Sequence, residues 1–310
     1  MTWNRRNLLD LADWTHEDFS LFTEYALSLA PRLNAVPKAP LTSLCGKTVA
    51  NLFFENSTRT RTSFEVAEQM TGATPLNWSV SGSSVAKGET LRDTIWTLCS
   101  MGIDGIVVRH SRAGMPWYIQ NLVPDVPVFN AGDGARSHPT QGLLDICAAY
   151  ARLGSLRGAT LVIIGDILYS RVARSDILAF QGMGARVILS GPRTLIPRYP
   201  ESLGVHYEPD PRKAAAQADI LGLLRIQTER QAEGLFPSVA EYHSIYGAHS
   251  ELMACAPRSA VVMHPAPINR GVEIASDVAD GPASLIRDQV RCGVLARMAL
   301  LDICLGGEAR

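Results

Sequence analysis

Long apolar runs are missing from this 310-residue chain. No stretch approaches the about 18 residues that a membrane-spanning helix requires. Residues 1–13 carry Arg5, Arg6, Asp10 and Asp13 and lack a signal-peptide core. The expected location is the cytoplasm, with no membrane partner. An excess of one charge is missing too. Lys plus Arg number 29 and Asp plus Glu 30, a net charge of -1, so no general attraction to nucleic acid is expected. Any anion site must be a local gathering of cations. Paired cysteines are absent: Cys45, Cys99, Cys147, Cys255, Cys292 and Cys304 form no CxxC, and most sit in apolar runs. That pattern reads as buried thiols in a reducing compartment, not as disulfides or zinc ligands. There is no HExxH, GxSxG, Walker or GxGxxG motif. No metal and no cofactor is expected.

What is present is an ordinary globular composition, 46% hydrophobic and 19% charged, in a chain long enough for two cores. Spacing predicts helices over 17–30, 57–70, 90–100, 140–153, 171–181, 211–216 and 283–305. Strands are predicted over 48–54, 104–108, 126–129, 159–164, 186–189, 219–224 and 260–263. Strand and helix alternate in both halves, which predicts an α/β protein of two domains, each a parallel β-sheet flanked by helices. The small, polar segment 79–88, tipped by Lys87, has the composition of a mobile lid.

The richest stretch is Phe53 to Glu65. An apolar strand runs there into a helix whose first turn holds Ser57, Thr58, Arg59, Thr60 and Arg61. Helix N-termini present unbonded N–H groups and partial positive charge, so hydroxyls and guanidinium there suit a phosphate. Other polar residues also fall at the carboxyl ends of strands, where open α/β sheets bind ligands. They are Arg109 and His110, His138 to Gln141, Asp166 and Arg171, Arg225 and Gln227, and His264 to Pro267. Taken singly, each has a plain alternative. Ser-Thr at a helix start can be only a cap. Arg61 and Arg109 can be structural or surface arginines, Lys87 a solvated lysine, and His138 a satisfied structural histidine.

Phe54-Glu55-Asn56-Ser57-Thr58-Arg59-Thr60-Arg61 and His138-Pro139-Thr140-Gln141 together resemble the carbamoyl-phosphate motifs of the aspartate and ornithine carbamoyltransferases. The resemblance continues through Ser83-Ser84, Lys87 to Leu91, Val107 to His110, Gly165-Asp166, Ser170-Arg171, Arg225 to Gln227 with Glu229-Arg230, and Met263 to Pro267. It spans essentially the whole chain. The lysine loop, the RxQxER stretch and His264-Pro265-Ala266-Pro267 resemble the aspartate-using members. The ornithine enzymes typically carry HCLP at the last position. Tyr169 departs from the histidine of many relatives.

This resemblance implies transfer of a carbamoyl group from carbamoyl phosphate to the α-amine of L-aspartate, early in pyrimidine synthesis. An inactive scaffold homologue, or an enzyme for ornithine or acetylated ornithine, is the alternative. It implies a carbamoyl-phosphate domain over 1–139 plus a C-terminal helix of about 286–310, an aspartate domain over 140–285, and an active site in the cleft between them. Ser57, Thr58, Arg59 and Thr60 would hold the phosphate. Thr60, Arg109 and His138 would face the carbonyl oxygen, and Gln141 the carbamoyl NH2. Arg171, Arg225 and Gln227 would take the aspartate carboxylates, with Lys87 and Ser83 closing over both ligands. The Ala266 carbonyl would contact the amino or carbamoyl group, with a cis bond to Pro267. Arg59, Thr60, Lys87, Arg109 and His138 form the implied catalytic set. A homotrimer sharing active sites between subunits is implied, and two alternatives stay open: a free trimer, or one docked onto a regulatory chain or dihydroorotase-like protein.

Overall fold

A computed structural model describes residues 5–79, 90–226 and 238–306. The expected lid, including Ser83 and Lys87, and Gln227 lie outside the described residues. The chain divides into two compact units, one through Leu144 and again from Arg291, the other Asp145–Val290. Among the described residues no helix is long and apolar enough to cross a membrane.

The first unit opens with α1 (His16–Ser28) and α2 (Ala30–Asn34). Thr15 caps α1 by accepting from the Asp18 N–H, and Asp18 returns a bond from the Thr15 N–H. The single helix expected over 17–30 breaks at Leu29, and Pro31 sits in the first turn of α2, where its missing N–H costs nothing. There follow β1 (Thr48–Phe53), α3 (Thr58–Thr71), β2 (Thr74–Ser79), α4 (Leu91–Ser100), β3 (Gly105–His110), α5 (Met115–Leu122), β4 (Val128–Asp133) and α6 (Pro139–Leu153). Gly72 ends α3 at φ 88°, a left-handed stop that glycine adopts without strain.

The sheet runs β2-β1-β3-β4, with every pair parallel. Its apolar face packs Ala50, Leu52, Ile106, Val108 and Val128 against Ile95, Leu98 and Ile119 of α4 and α5. The sequence pattern overlooks β2 because Pro75 and Asn77 read as loop; an edge strand accommodates both. It also clips β4, whose Asn130 is fully buried. The Asn130 amide donates to the Leu9 carbonyl at 2.9 Å and to Ser137 Oγ at 3.0 Å, so burial leaves it satisfied.

The second unit contains β5 (Thr160–Ile164), α7 (Arg171–Gly182), β6 (Arg186–Ser190), β7 (His206–Tyr207), α8 (Pro211–Ala215), β8 (Ile220–Leu223), α9 (Val239–Tyr246), α10 (Ser250–Cys255), β9 (Val261–Met263) and α11 (Ser276–Ala279). Its parallel sheet is ordered β7-β6-β5-β8-β9. Val162, Ile164, Leu221, Leu223 and Val262 build the core with Ala214, Ala215 and Leu252. Such two-sided burial explains the unbroken apolar runs of β5 and β8. The helix α12 (Ile286–Leu305) closes the chain. Short elements such as β7, α9, α10 and α11 are too brief to give a legible period.

One buried carboxylate in the first unit makes stability depend on pH. Glu68 of α3 is fully buried and accepts from the Asn51 amide of β1 at 2.9 Å. Burial pushes its pKa up to about 7. The native state therefore keeps a proton that the unfolded chain has released, and stability falls as pH rises from the ordinary glutamate value through about 7, then levels off. Glu68→Gln is expected to remove this slope, gaining about 1–3 kcal/mol at pH 8 and little at pH 4. Denaturant melts at the two pH values check it; an unchanged pH dependence would overturn the assignment.

Candidate active site

Strand order reverses direction between β1 and β3 in the first sheet and between β5 and β8 in the second. A crevice opens beyond the carboxyl ends of the strands at such a switch point. Of the residues singled out from sequence, Ser57 to Thr60 and Arg109 follow β1 and β3 at the first point, and Arg171 and Arg225 follow β5 and β8 at the second. In the first unit, Arg109 is directly opposite Phe53 in the parallel register, so the end of β3 stands beside the strand that delivers Ser57 to Thr60. Ser57 occupies the N-cap of the 14-residue α3, yet its hydroxyl makes no capping bond, and no acidic residue enters the first turn. Dipole and N–H groups there are left for an external anion. Arg59 is exposed and Thr60 buried.

Arg61, one turn-neighbour away, stacks its guanidinium over the Phe53 ring at 5.2 Å, the packing of a structural arginine. Arg109 is held from both sides. Its Nε donates to Glu55 Oε2 at 3.3 Å, with both side chains 15% exposed, and its Nη1 approaches the Ala131 carbonyl at 3.4 Å. Sequence reasoning passed over Glu55, although a carboxylate between an apolar strand and a phosphate-type turn was the available signal. The His110 ring packs on Phe54 at 5.0 Å and accepts the Arg112 N–H on Nδ1. Burial, then Arg112, depress its pKa, against a smaller opposing pull from Glu55.

His138 and Gln141 flank the start of α6 and are both buried. The Thr140 hydroxyl makes a long 3.4 Å contact with His138 Nδ1, and Arg297 of α12 donates to the same hydroxyl at 3.3 Å. Arginine has no acceptor, so Thr140 accepts from Arg297, which ties α12 to the start of α6 beside the His138 ring. Arg297 itself is 2% exposed and lies over the Phe64 ring at 5.0 Å.

In the second unit Arg171 begins α7 and is buried, behind Ser170, whose hydroxyl accepts the Ala173 N–H. Arg225 follows β8, next to Leu224, whose N–H reaches the Ile164 carbonyl at 2.9 Å. Arg171 and Arg225 thus leave the neighbouring strands β5 and β8 at their switch point. Asp166 is fully buried and accepts the Tyr169 N–H at 3.1 Å. Beyond β9, the Ala266–Pro267 bond is cis, as the resemblance implied, and Ala266 is the one non-glycine residue with positive φ, at 49°, among the described residues. A left-handed alanine costs about 1–2 kcal/mol and persists only where its surroundings enforce it. The enforcing groups are buried. Ala266 N–H donates to His264 Nδ1 at 2.8 Å, and His264 Nε2 meets Glu273 Oε1 at 3.1 Å. Deeper still, Gln289 bridges the His264 N–H to Asp145. Asp145 shares a hydrogen bond with Asp176, whose pKa burial and that neighbour hold well above the ordinary value. None of Glu273, Gln289, Asp145 or Asp176 was singled out from the sequence, because all lie within or beside helical or loop stretches with no motif.

Two doubly wound parallel sheets, each with arginines at its switch point, define a class of α/β protein built to take anions. The chain belongs to the aspartate/ornithine carbamoyltransferase family. The family model described as "Aspartate/ornithine carbamoyltransferase, carbamoyl-P binding domain" matches residues 6–151, and the one described as "Asp/Orn binding domain" matches residues 157–304. The aspartate carbamoyltransferase catalytic subunit of Opitutus terrae is 47% identical over 309 residues, covering 99% of this chain and 98% of that one. Aspartate transcarbamoylase from Trypanosoma cruzi, solved with carbamoyl phosphate and aspartate, superposes with a TM-score of 0.86 at 29% identity, covering 96% of each chain. Ornithine carbamoyltransferase from Pyrococcus furiosus gives the same TM-score of 0.86 at 29% identity, covering 99% of each. Fold likeness therefore does not separate the two acceptors; sequence identity points to aspartate.

Proposed function

We propose that this chain is an aspartate carbamoyltransferase, moving the carbamoyl group of carbamoyl phosphate to the α-amine of L-aspartate and releasing N-carbamoyl-L-aspartate and phosphate in pyrimidine synthesis. The observation that carries this reading is the placement of one anion-binding set at each switch point, joined to the aspartate-specific naming of relatives nearly half identical in sequence. An uncharged amine attacks the carbamoyl carbon, negative charge builds on the carbonyl oxygen, and phosphate departs as the nitrogen sheds a proton. No covalent bond to the protein is needed. Positioning alone can supply about 7–11 kcal/mol of the barrier.

In this reading Ser57, Thr58, Arg59 and Thr60 bind the phosphate. Thr60, Arg109 and His138 donate to the carbonyl oxygen, and Gln141 accepts from the carbamoyl NH2. Glu55 keeps the Arg109 guanidinium extended before substrate arrives, which spares reorganisation during the reaction. Arg171, Arg225 and Gln227 take the two carboxylates of aspartate, where the planar guanidinium suits bidentate pairing. Ser83 and Lys87 close over the ligands, and the Ala266 carbonyl meets the amino or carbamoyl nitrogen. The assembly is a cytoplasmic homotrimer in which Ser83 and Lys87 come from the neighbouring subunit. The trimer either stands free or docks onto a regulatory chain or a dihydroorotase-like protein.

The purified chain is expected to make N-carbamoyl-L-aspartate with kcat in the usual range of about 1–10³ s⁻¹. With ornithine the rate should be at least ~10³-fold lower, since a cationic side chain would face Arg225 unpaired. Colorimetric ureido assays with both acceptors check this. Faster transfer to ornithine would reassign the acceptor, and inactivity with both would favour a scaffold.

A further inference from the structure

The loop after β9 is governed by a residue outside every motif. Ala266 donates its N–H to His264 Nδ1 at 2.8 Å. An acceptor nitrogen must carry a lone pair, so the imidazole proton is on Nε2. That Nε2–H faces Glu273 Oε1 at 3.1 Å, and the two side chains are 0% and 1% exposed. The same Oε1 also accepts the Asn269 N–H at 2.6 Å. One carboxylate oxygen thus fixes the histidine at one end of the loop and the backbone at the other. The Asn269 amide in turn donates to the Ile226 carbonyl at 3.2 Å, next to Arg225. Were the proton moved to Nδ1, two N–H groups would point at each other and the left-handed turn at Ala266 would lose its anchor.

We propose that Glu273 is a positioning residue that holds His264 as the Nε2–H tautomer and thereby sets the direction of the Ala266 carbonyl. This rests on the reading above, in which that carbonyl meets the reacting nitrogen. The His264 ring and the Asn269 N–H converge on the single oxygen Oε1. The Glu273 backbone is also anchored independently of its side chain, since its carbonyl accepts the Ala248 N–H at 3.0 Å. Changing the side chain therefore leaves that tie in place.

The test compares Glu273→Leu, Glu273→Gln, His264→Asn and His264→Gln with the parent protein, each checked by thermal melting. Glutamine keeps an amide oxygen where Oε1 stands, so Glu273→Gln should retain kcat/KM for aspartate within about threefold. Glu273→Leu should lose about 10–100-fold, with KM for carbamoyl phosphate unchanged. Asparagine can place its oxygen near the Nδ1 position and glutamine cannot, so His264→Asn should retain more activity than His264→Gln. Long-range proton–nitrogen spectra of histidine-labelled protein, with His264→Asn for assignment, should show the proton on Nε2 in the parent and displaced in Glu273→Leu. An unchanged tautomer in Glu273→Leu, equal losses in both Glu273 variants, or equal changes in both substrates' KM would overturn the proposal. A parent protein inactive with aspartate would overturn the functional reading instead, and the spectra decide on Glu273 in either event.

Discussion

Arg59→Ala is expected to lower kcat by about 10³-fold or more while shifting the melting temperature by no more than about 2 °C. The expectation follows from where the charge sits. Arg59 lies exposed in the first turn of α3, whose cap hydroxyl makes no capping bond and whose first turn carries no carboxylate. A departing phosphate gains charge as the bond breaks, so a guanidinium beside the helix N-terminus stabilises the transition state more than the ground state. Removing an exposed side chain leaves the buried core of the unit in place. Arg61→Ala supplies the contrast within the same turn. Its guanidinium covers Phe53, so its loss should cost about 1 kcal/mol of stability and little turnover. Steady-state kinetics and melts on both variants check the pair. Near-normal turnover of Arg59→Ala would end the phosphate assignment, and a reversed pattern would exchange the two arginines' roles.

The contrast between those arginines shows what sequence can and cannot display. Both are basic residues in one hydroxyl-rich turn, and only the position of the Phe53 ring separates them. The strand–helix alternation was legible because buried parallel strands are unbroken apolar runs and amphipathic helices have a clear period. Strands β2 and β4 were missed or clipped where proline or buried asparagine imitates a loop. The switch points themselves could not be read, because strand order is a tertiary property. Once β1 is known to lie between β2 and β3, the placement of Ser57 and Arg109 becomes a consequence of topology. Glu55 lay within the motif, but its partner Arg109 is 54 residues away. Glu273 was silent for a related reason, since it acts through a partner 9 residues away and a lone glutamate carries no pattern of its own. Glu68 shows the other side of this silence, since nothing in its helix marks it as a group buried against Asn51.

Mixing two inactive variants should restore activity. Lys87→Ala alone is expected to lower kcat by about 10²–10³-fold, because the lysine ammonium is assigned to close over both anionic ligands. Arg59→Ala is expected to be at least as impaired. In the proposed trimer each site takes Arg59 from one chain and Lys87 from its neighbour. A hybrid trimer built from the two variants then contains one site with both residues intact and two that are damaged. With random reassembly at equal concentrations, about three trimers in four are hybrids, so recovery should approach ~25% of parental activity. Dissociation in mild denaturant, mixing and renaturation, followed by the same transfer assay, provides the measurement. If all site residues came from one chain, every site in every hybrid would carry a defect and mixing would recover nothing. A recovery well above ~25% would require sites that tolerate one of the two losses, which the single-variant rates already test. The outcome therefore separates a shared site from a self-contained one, using only residues already assigned by their chemistry.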